Sequence, residues 1–191
     1  MGLFAMEHGK AAYRADFAIY GLTVASLATL VFFAGPHSLR LESTALVFLG
    51  LVAWTVIEYL LHRFVLHGLA PFKCWHEAHH QRPKALICTP TVLSASLILT
   101  LIFLPVLALG GLWTAGALTL GMLSGYLLYA VTHHATHHWP ADSAWLKRRK
   151  RWHALHHHGA GRLGRFGVTS AFWDHVFGSA QPRTAPDRQR A

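Results

Sequence analysis

The sequence predicts an all-α integral membrane protein, with four transmembrane helices and a cytoplasmic His-rich helical cap. Three observations carry that expectation. Hydrophobic residues fill 53% of the 191 positions and charged ones only 13%, against about 25% charged in a soluble domain. Long stretches hold no formal charge. Sixteen histidines stand beside only eight acidic residues, and they cluster at helical spacings. Disorder is set aside because the chain has ample apolar surface to bury, and a disulfide framework because Cys74 and Cys88 are too few. The length fits one domain, with residues 1–179 as a membrane-embedded unit and 180–191 (AQPRTAPDRQRA) as a loose polar tail.

A helix needs about 20 apolar residues to cross a bilayer. Residues 17–34 (FAIYGLTVASLATLVFFA) supply a first span, stopped by Gly35-Pro36. Ser43 or Thr44 is expected to cap a second helix that runs to about His67. No residue from Ala85 to Ala141 is formally charged, a stretch of 57 positions and enough for two crossings. Thr89-Pro90 opens the third helix, Pro105 should kink it, and Gly110-Gly111 is the turn into a fourth helix over about 112–134. A secretory signal is not expected, since Glu7 and Asp16 precede the first span and no clear cleavage site follows it.

Four spans put both termini on one side. Ten of the seventeen basic residues lie from Lys147 onward, so the positive-inside rule assigns the termini to the cytoplasm. The run 147–151 (KRRKR), flanked by Trp145 and Trp152, reads as an interfacial anchor facing anionic lipid, and no nucleic-acid partner is expected.

The histidines fall in four groups: His62 and His67; His76, His79 and His80; His133 and His137; His153, His156 and His157. All four lie on the cytoplasmic side of the derived topology. Positions i, i+3 and i+4 share one helical face, so each HxxHH segment, if helical, aims three imidazoles at one point. His62 and His67 are five apart, roughly 140° around a helix, and need a frayed end or two different metals. Ten imidazoles exceed the four ligands of one tetrahedral zinc and suit two ions with five or so nitrogens each. Imidazole serves iron, copper, nickel and zinc alike, so spacing does not name the metal. Two acids are candidates to hold ligand rings from outside the metal shell: Glu58, four residues before His62, and Asp174.

Taken together, HRFVLH, HEAHHQRP, GYLLYAVTHHATHH, HALHH and FGVTSAFWDHVFGS resemble the fatty acid hydroxylase superfamily, historically the sterol desaturase family. The sphingolipid fatty acid 2-hydroxylases are its nearest branch. The matching region covers 58–179. The resemblance implies an O2-dependent membrane hydroxylase with a nonhaem di-iron centre held by His62, His67, His76, His79, His80, His133, His137, His153, His156 and His157. Purified protein can carry zinc instead. Ala130 stands where the family often has Asp. His134, His138 and His158 occupy positions commonly aromatic and are read as non-ligands, although His133-x4-His138 would echo the carotenoid hydroxylases and put His138 in place of His137.

An unactivated lipid C–H bond calls for oxidising chemistry that side chains cannot supply. The expected partners are therefore a membrane lipid acyl chain, O2 and a separate electron donor of cytochrome b5 or ferredoxin type. Because imidazole binds metal only when neutral, occupancy is expected to fall below about pH 6.5. The alternatives are a desaturase or a carotenoid or sterol hydroxylase on the same centre, and a membrane metal-binding or transport protein. A transporter would place its ionisable ligands near the bilayer midplane, whereas these sit at one edge.

Overall fold

The structure is a computed structural model that describes residues 7–158 and 164–181. The proposed tail lies almost wholly outside those residues. Every regular element among them is helical, apart from a single β-bridge between Glu7 and Ile87. In chain order these are α1 (Lys10–Thr29), α2 (Arg40–Leu60), α3 (Phe72–Gln81), α4 (Thr91–Ile98), α5 (Leu104–His138), α6 (Ala144–His157) and α7 (Phe172–Val176). π-helical turns extend α1 over Leu30–Ala34, α2 over Leu61–Leu66 and α4 over Leu99–Phe103. Three continuous helical stretches are long and apolar enough to cross a membrane: Lys10–Ala34, His37–Leu66 and Thr91–His138. Apolar side chains such as Phe33 (81% exposed) and Leu109 (92%) stand on their outer surfaces, a placement that suits lipid rather than water.

The third stretch holds 48 residues. As one straight helix it would run about 70 Å, more than twice the ~30 Å hydrocarbon core of a bilayer. It is broken at Gly111, whose backbone (φ 76°, ψ −179°) no other residue adopts readily. Leu99 and Phe103 before the break line the same cleft, of about 250 Å3, as Thr119 and Leu123 after it. The chain therefore doubles back at Gly111.

Several element boundaries depart from the sequence expectation. Helix α1 starts at Lys10 and carries Asp16 inside it; the buried carboxylate accepts a hydrogen bond from Thr91 Oγ1. Helix α2 begins at Arg40, after a 3-10 turn over His37–Leu39, rather than at a Ser43 or Thr44 cap. The Thr44 hydroxyl instead donates back to Arg40 O at 2.8 Å, the intrahelical alternative open to a threonine. The irregularity attributed to Pro105 lies in the π turn just before it. Proline has no N–H for the carbonyl four residues earlier, and Leu104 N–H bonds Leu99 O, five residues back.

The chain forms two compact units, Met1–Trp54 with Lys84–Ala130, and Thr55–Pro83 with Val131–Ala191. In the first, Val31, Ala117 and Leu120 form an apolar centre against Leu27, Leu46 and Val47. Gly50 and Gly121 bring α2 and α5 into backbone contact: a Cβ on Gly121 would meet Val47 O and come within 3.0 Å of the Gly50 Cα. Small residues permit such approaches between membrane helices, where dispersion contacts rather than water exclusion drive association. The second unit contains α3, α6, α7 and the His-bearing end segments of α2 and α5.

Candidate metal centre

All four histidine groups belong to the second unit, and all their members stand on helices except His67, which follows the π-helical end of α2. His76, His79 and His80 lie on α3, so this HxxHH segment is helical. His153, His156 and His157 lie on α6, whose Ser143 cap accepts from Leu146 N–H at 3.1 Å. His133 and His137 occupy the last turns of α5. The i, i+5 pair has its own solution. The π turn over Leu61–Leu66 bonds i to i+5, which brings His62 and His67 onto one side, with ring centroids 5.2 Å apart. Neither a frayed end nor a division between two metals is needed.

The ten rings gather into two sets of five. His62, His67, His76, His80 and His156 form one; His79, His133, His137, His153 and His157 form the other. Within each set the nearest ring nitrogens all lie within 4.8 Å of one another. The sets adjoin, with the His80 and His157 rings stacked at 4.1 Å. His134, His138 and His158 belong to neither; His134 and His138 stack on each other instead.

Proton counting shows what the first set lacks. His62 Nδ1 bonds the Phe166 carbonyl at 2.5 Å and His156 Nδ1 bonds the Gly164 carbonyl at 2.8 Å. A carbonyl only accepts, so each Nδ1 carries the hydrogen, and in a neutral ring each Nε2 is then bare. Four close Nε2–Nε2 contacts join the five rings: His62–His76 at 2.9 Å, and His76–His80, His80–His156 and His156–His67 at 3.1 Å each. Only His67, His76 and His80 have an Nε2 proton to give, so at least one contact opposes two lone pairs. A cation among the rings removes that conflict. The spacing fits too, since nitrogens at right angles around an ion 2.0–2.1 Å away stand about 2.9 Å apart.

The second set repeats the pattern at His137–His153 (2.8 Å) and His153–His157 (3.0 Å). Both ring nitrogens of His79 are buried without a hydrogen-bond partner. Such a group costs free energy unless something binds it. The residues present therefore fit two metal ions.

Burial dominates the electrostatics. Loss of hydration, followed by repulsion from neighbouring rings, pushes His67 and His79 down to about 3, His80 to about 4 and His157 to about 2. His76 and His153 fall well below the usual histidine range for the same reasons. His156 is lowered by burial, partly offset by its bond to Gly164 O. Burial thus favours the neutral form of these rings, which displaces proton competition below the pH of about 6.5 expected from the free side chain.

Among the described residues Glu58 and Asp174 accept from backbone N–H groups, hydroxyls and an indole rather than from an imidazole, contrary to expectation. Glu58 Oε1 accepts from Val168 N–H and Thr169 N–H (2.8 and 3.0 Å), and Oε2 from the Thr169 hydroxyl at 2.6 Å. Asp174 Oδ1 accepts from Phe166 N–H at 2.8 Å and the Ser179 hydroxyl at 2.7 Å; Oδ2 accepts from Gly167 N–H at 2.9 Å and Trp152 Nε1 at 3.3 Å. The two buried acids bind the 166–169 backbone, and the adjoining carbonyls of Gly164 and Phe166 hold the His156 and His62 rings. Those two carbonyls escaped the sequence reading because backbone acceptors leave no residue signature. Within the KRRKR run Arg149 is buried, while Lys147, Arg148 and Arg151 are exposed. A cavity of about 400 Å3 reaches rings of both sets; Lys73, Glu77 and Gln81 line it with His67, His80 and His157.

Comparison with known proteins places this arrangement. The fatty acid hydroxylase family model matches residues 47–179. The chain is 35% identical over 160 residues to the dihydroceramide fatty acyl 2-hydroxylase FAH1 of Arabidopsis thaliana, covering 78% of this chain and 66% of that protein. It is 36% identical over 152 residues to the ceramide very long chain fatty acid hydroxylase SCS7 of Saccharomyces cerevisiae, covering 72% and 38%, and 30% identical over 155 residues to the fatty acid 2-hydroxylase of Rattus norvegicus, covering 74% and 41%. The chain thus spans just under two thirds of the plant relative's length and about two fifths of the others. The solved structure described as full-length scs7p, with only its hydroxylase domain visible, superposes with a TM-score of 0.76 at 28% identity, over 95% of this chain and 70% of that one. The chain belongs to the fatty acid hydroxylase family.

Proposed function

We propose that this chain is an O2-dependent hydroxylase that inserts one oxygen atom into a C–H bond of a membrane lipid acyl chain, of fatty acid or sphingolipid type, at C2. The observation that carries the reading is the convergence of ten imidazoles into two adjoining sets of five. His62, His67, His76, His80 and His156 hold one iron ion in this reading, and His79, His133, His137, His153 and His157 the other. His137, and not His138, is the ligand. When bound, the pair supplies the redox chemistry with O2 that side chains lack. The protein's part is to present neutral ring nitrogens, to fix them through Phe166 O and Gly164 O, and to limit water around the buried rings. The relatives' names supply the substrate class and the carbon.

The same reading makes the protein multi-pass, with four crossings, two of them from the stretch that reverses at Gly111. Both termini and the metal centre face the cytoplasm, where a separate electron donor of cytochrome b5 or ferredoxin type delivers reducing equivalents. Lipid profiling of cells with and without the chain, grown under isotopically heavy O2, tests the activity. Acyl chains carrying one heavy oxygen next to the carbonyl are expected. Loss of two hydrogens without added oxygen would replace the reading with desaturation, and no lipid change with metal flux in sealed vesicles would replace it with transport.

A further inference from the structure

We infer that the two metal positions are unequal: the His62/His67/His76/His80/His156 set binds its ion more tightly, and Asp174, with Glu58 beside it, is the positioning residue that makes it so. The inference rests on reading the ten histidines as metal ligands. It deepens that reading by assigning an order to the two ions.

The asymmetry lies in what holds the rings from behind. In the first set, His62 and His156 each donate Nδ1–H to a backbone carbonyl of one short segment, Phe166 O and Gly164 O. Such a bond fixes tautomer and ring plane and makes the other nitrogen a better donor to metal. The segment is itself clamped. Asp174 receives Phe166 N–H, Gly167 N–H, the Ser179 hydroxyl and Trp152 Nε1–H, while Glu58 receives Val168 N–H, Thr169 N–H and the Thr169 hydroxyl. Asp174 is fully buried and Glu58 nearly so. A fixed carbonyl is useful only if its peptide cannot rotate: Gly167 N–H on Asp174 Oδ2 holds the Phe166 peptide, and Arg165 N–H on the carbonyl of Ser179, whose hydroxyl also bonds Asp174, holds the Gly164 peptide.

In the second set, His79 has neither ring nitrogen hydrogen-bonded and His157 has a buried, unpartnered Nδ1. Those rings rely on packing for their orientation. A ligand without an outer partner typically gives about 10- to 100-fold weaker metal binding than one with it. The ion of the second set is therefore the one to exchange first.

The test is a zinc titration of the purified full-length protein in detergent, stripped of metal, followed by competition with a chromophoric chelator. Wild type is expected to bind two ions in two classes at least about tenfold apart. His79→Ala should remove the weaker class and leave the tighter one. Asp174→Asn places an amide N–H₂ where Gly167 N–H and Trp152 Nε1–H now donate, so it should weaken the tight class about tenfold while the weak class keeps its affinity. Tyr20→Phe, in the unit of 1–54 and 84–130, should leave both classes unchanged. It serves as the folded conservative variant. Two equal classes in wild type, or equal weakening of both classes in Asp174→Asn at unchanged helicity, would overturn the inference. Binding of no metal at all by wild type would instead overturn the ligand assignment on which it stands.

Discussion

The two units of the chain solve opposite problems with the same element, the helix. The unit of 1–54 and 84–130 keeps its outer surface apolar and joins helices through small residues, as at Gly50 and Gly121. Its polar contacts between helices include Thr91 to Asp16, and the Tyr20 and Ser94 hydroxyls at 2.7 Å, both joining α1 to α4. The unit of 55–83 and 131–191 buries imidazoles and two carboxylates instead, and ties Glu58, Asp174, His62 and His156 to the 164–169 segment. The contrast shows where specificity resides. Lipid-exposed helices tolerate exchange among apolar residues, whereas a convergent set of ring nitrogens tolerates almost none.

The largest expected effect falls in the polar unit. His79→Ala or His156→Ala should each reduce hydroxylated lipid to background and lower the metal content of purified protein, read by mass spectrometry of lipids and of metal. Full activity in either variant would refute the site. In the apolar unit, Gly121→Leu forces a side chain against Val47 O and Gly50. Overpacking of this kind costs about 1–3 kcal/mol, so the melting temperature in detergent should drop while metal per folded chain stays at the wild-type value. A parallel loss of metal would blur the distinction between the units.

Acid separates them further. His67, His76, His79, His80, His153, His156 and His157 all titrate below the unfolded value near 6.5. Below that pH the unfolded chain binds more protons than the folded one. The metal-free protein should therefore hold its full stability above pH 6.5 and lose it progressively as pH falls toward about 4, where His80 titrates. Folded protein should retain bound metal at pH 5.5, because burial holds His67, His79, His80 and His157 neutral there; half-loss of metal between pH 6 and 7 would contradict the burial argument. The smallest effect is expected for Tyr20→Phe, which removes one buried hydrogen bond to Ser94 and should cost about 1 kcal/mol with no change in metal content.

Much of this was legible in the sequence, for identifiable reasons. Helical periodicity is explicit in HxxHH, and both segments are helical, but neither triplet meets at one point as its spacing suggested: His79 parts from His76 and His80, and His156 from His153 and His157, because each helix lies between the two sets. Charge-free runs located the apolar helices because lipid forbids unpaired charge. Three features were hidden. The π turn at Leu61–Leu66 cannot be read from residue types, so His62 and His67 looked misaligned. The roles of Glu58 and Asp174 depend on backbone donors more than 100 residues away for Glu58 and seven or eight away for Asp174, and local spacing pointed Glu58 at the wrong partner. Depressed histidine values depend on burial, which spacing does not report.

Anomalous X-ray diffraction from crystals of the purified full-length protein tests the central claim most directly. Two peaks are expected, each within about 2.1 Å of ring nitrogens from one of the two five-histidine sets. A single peak, or peaks bound by His134, His138 or His158 in place of the ten named rings, would contradict it.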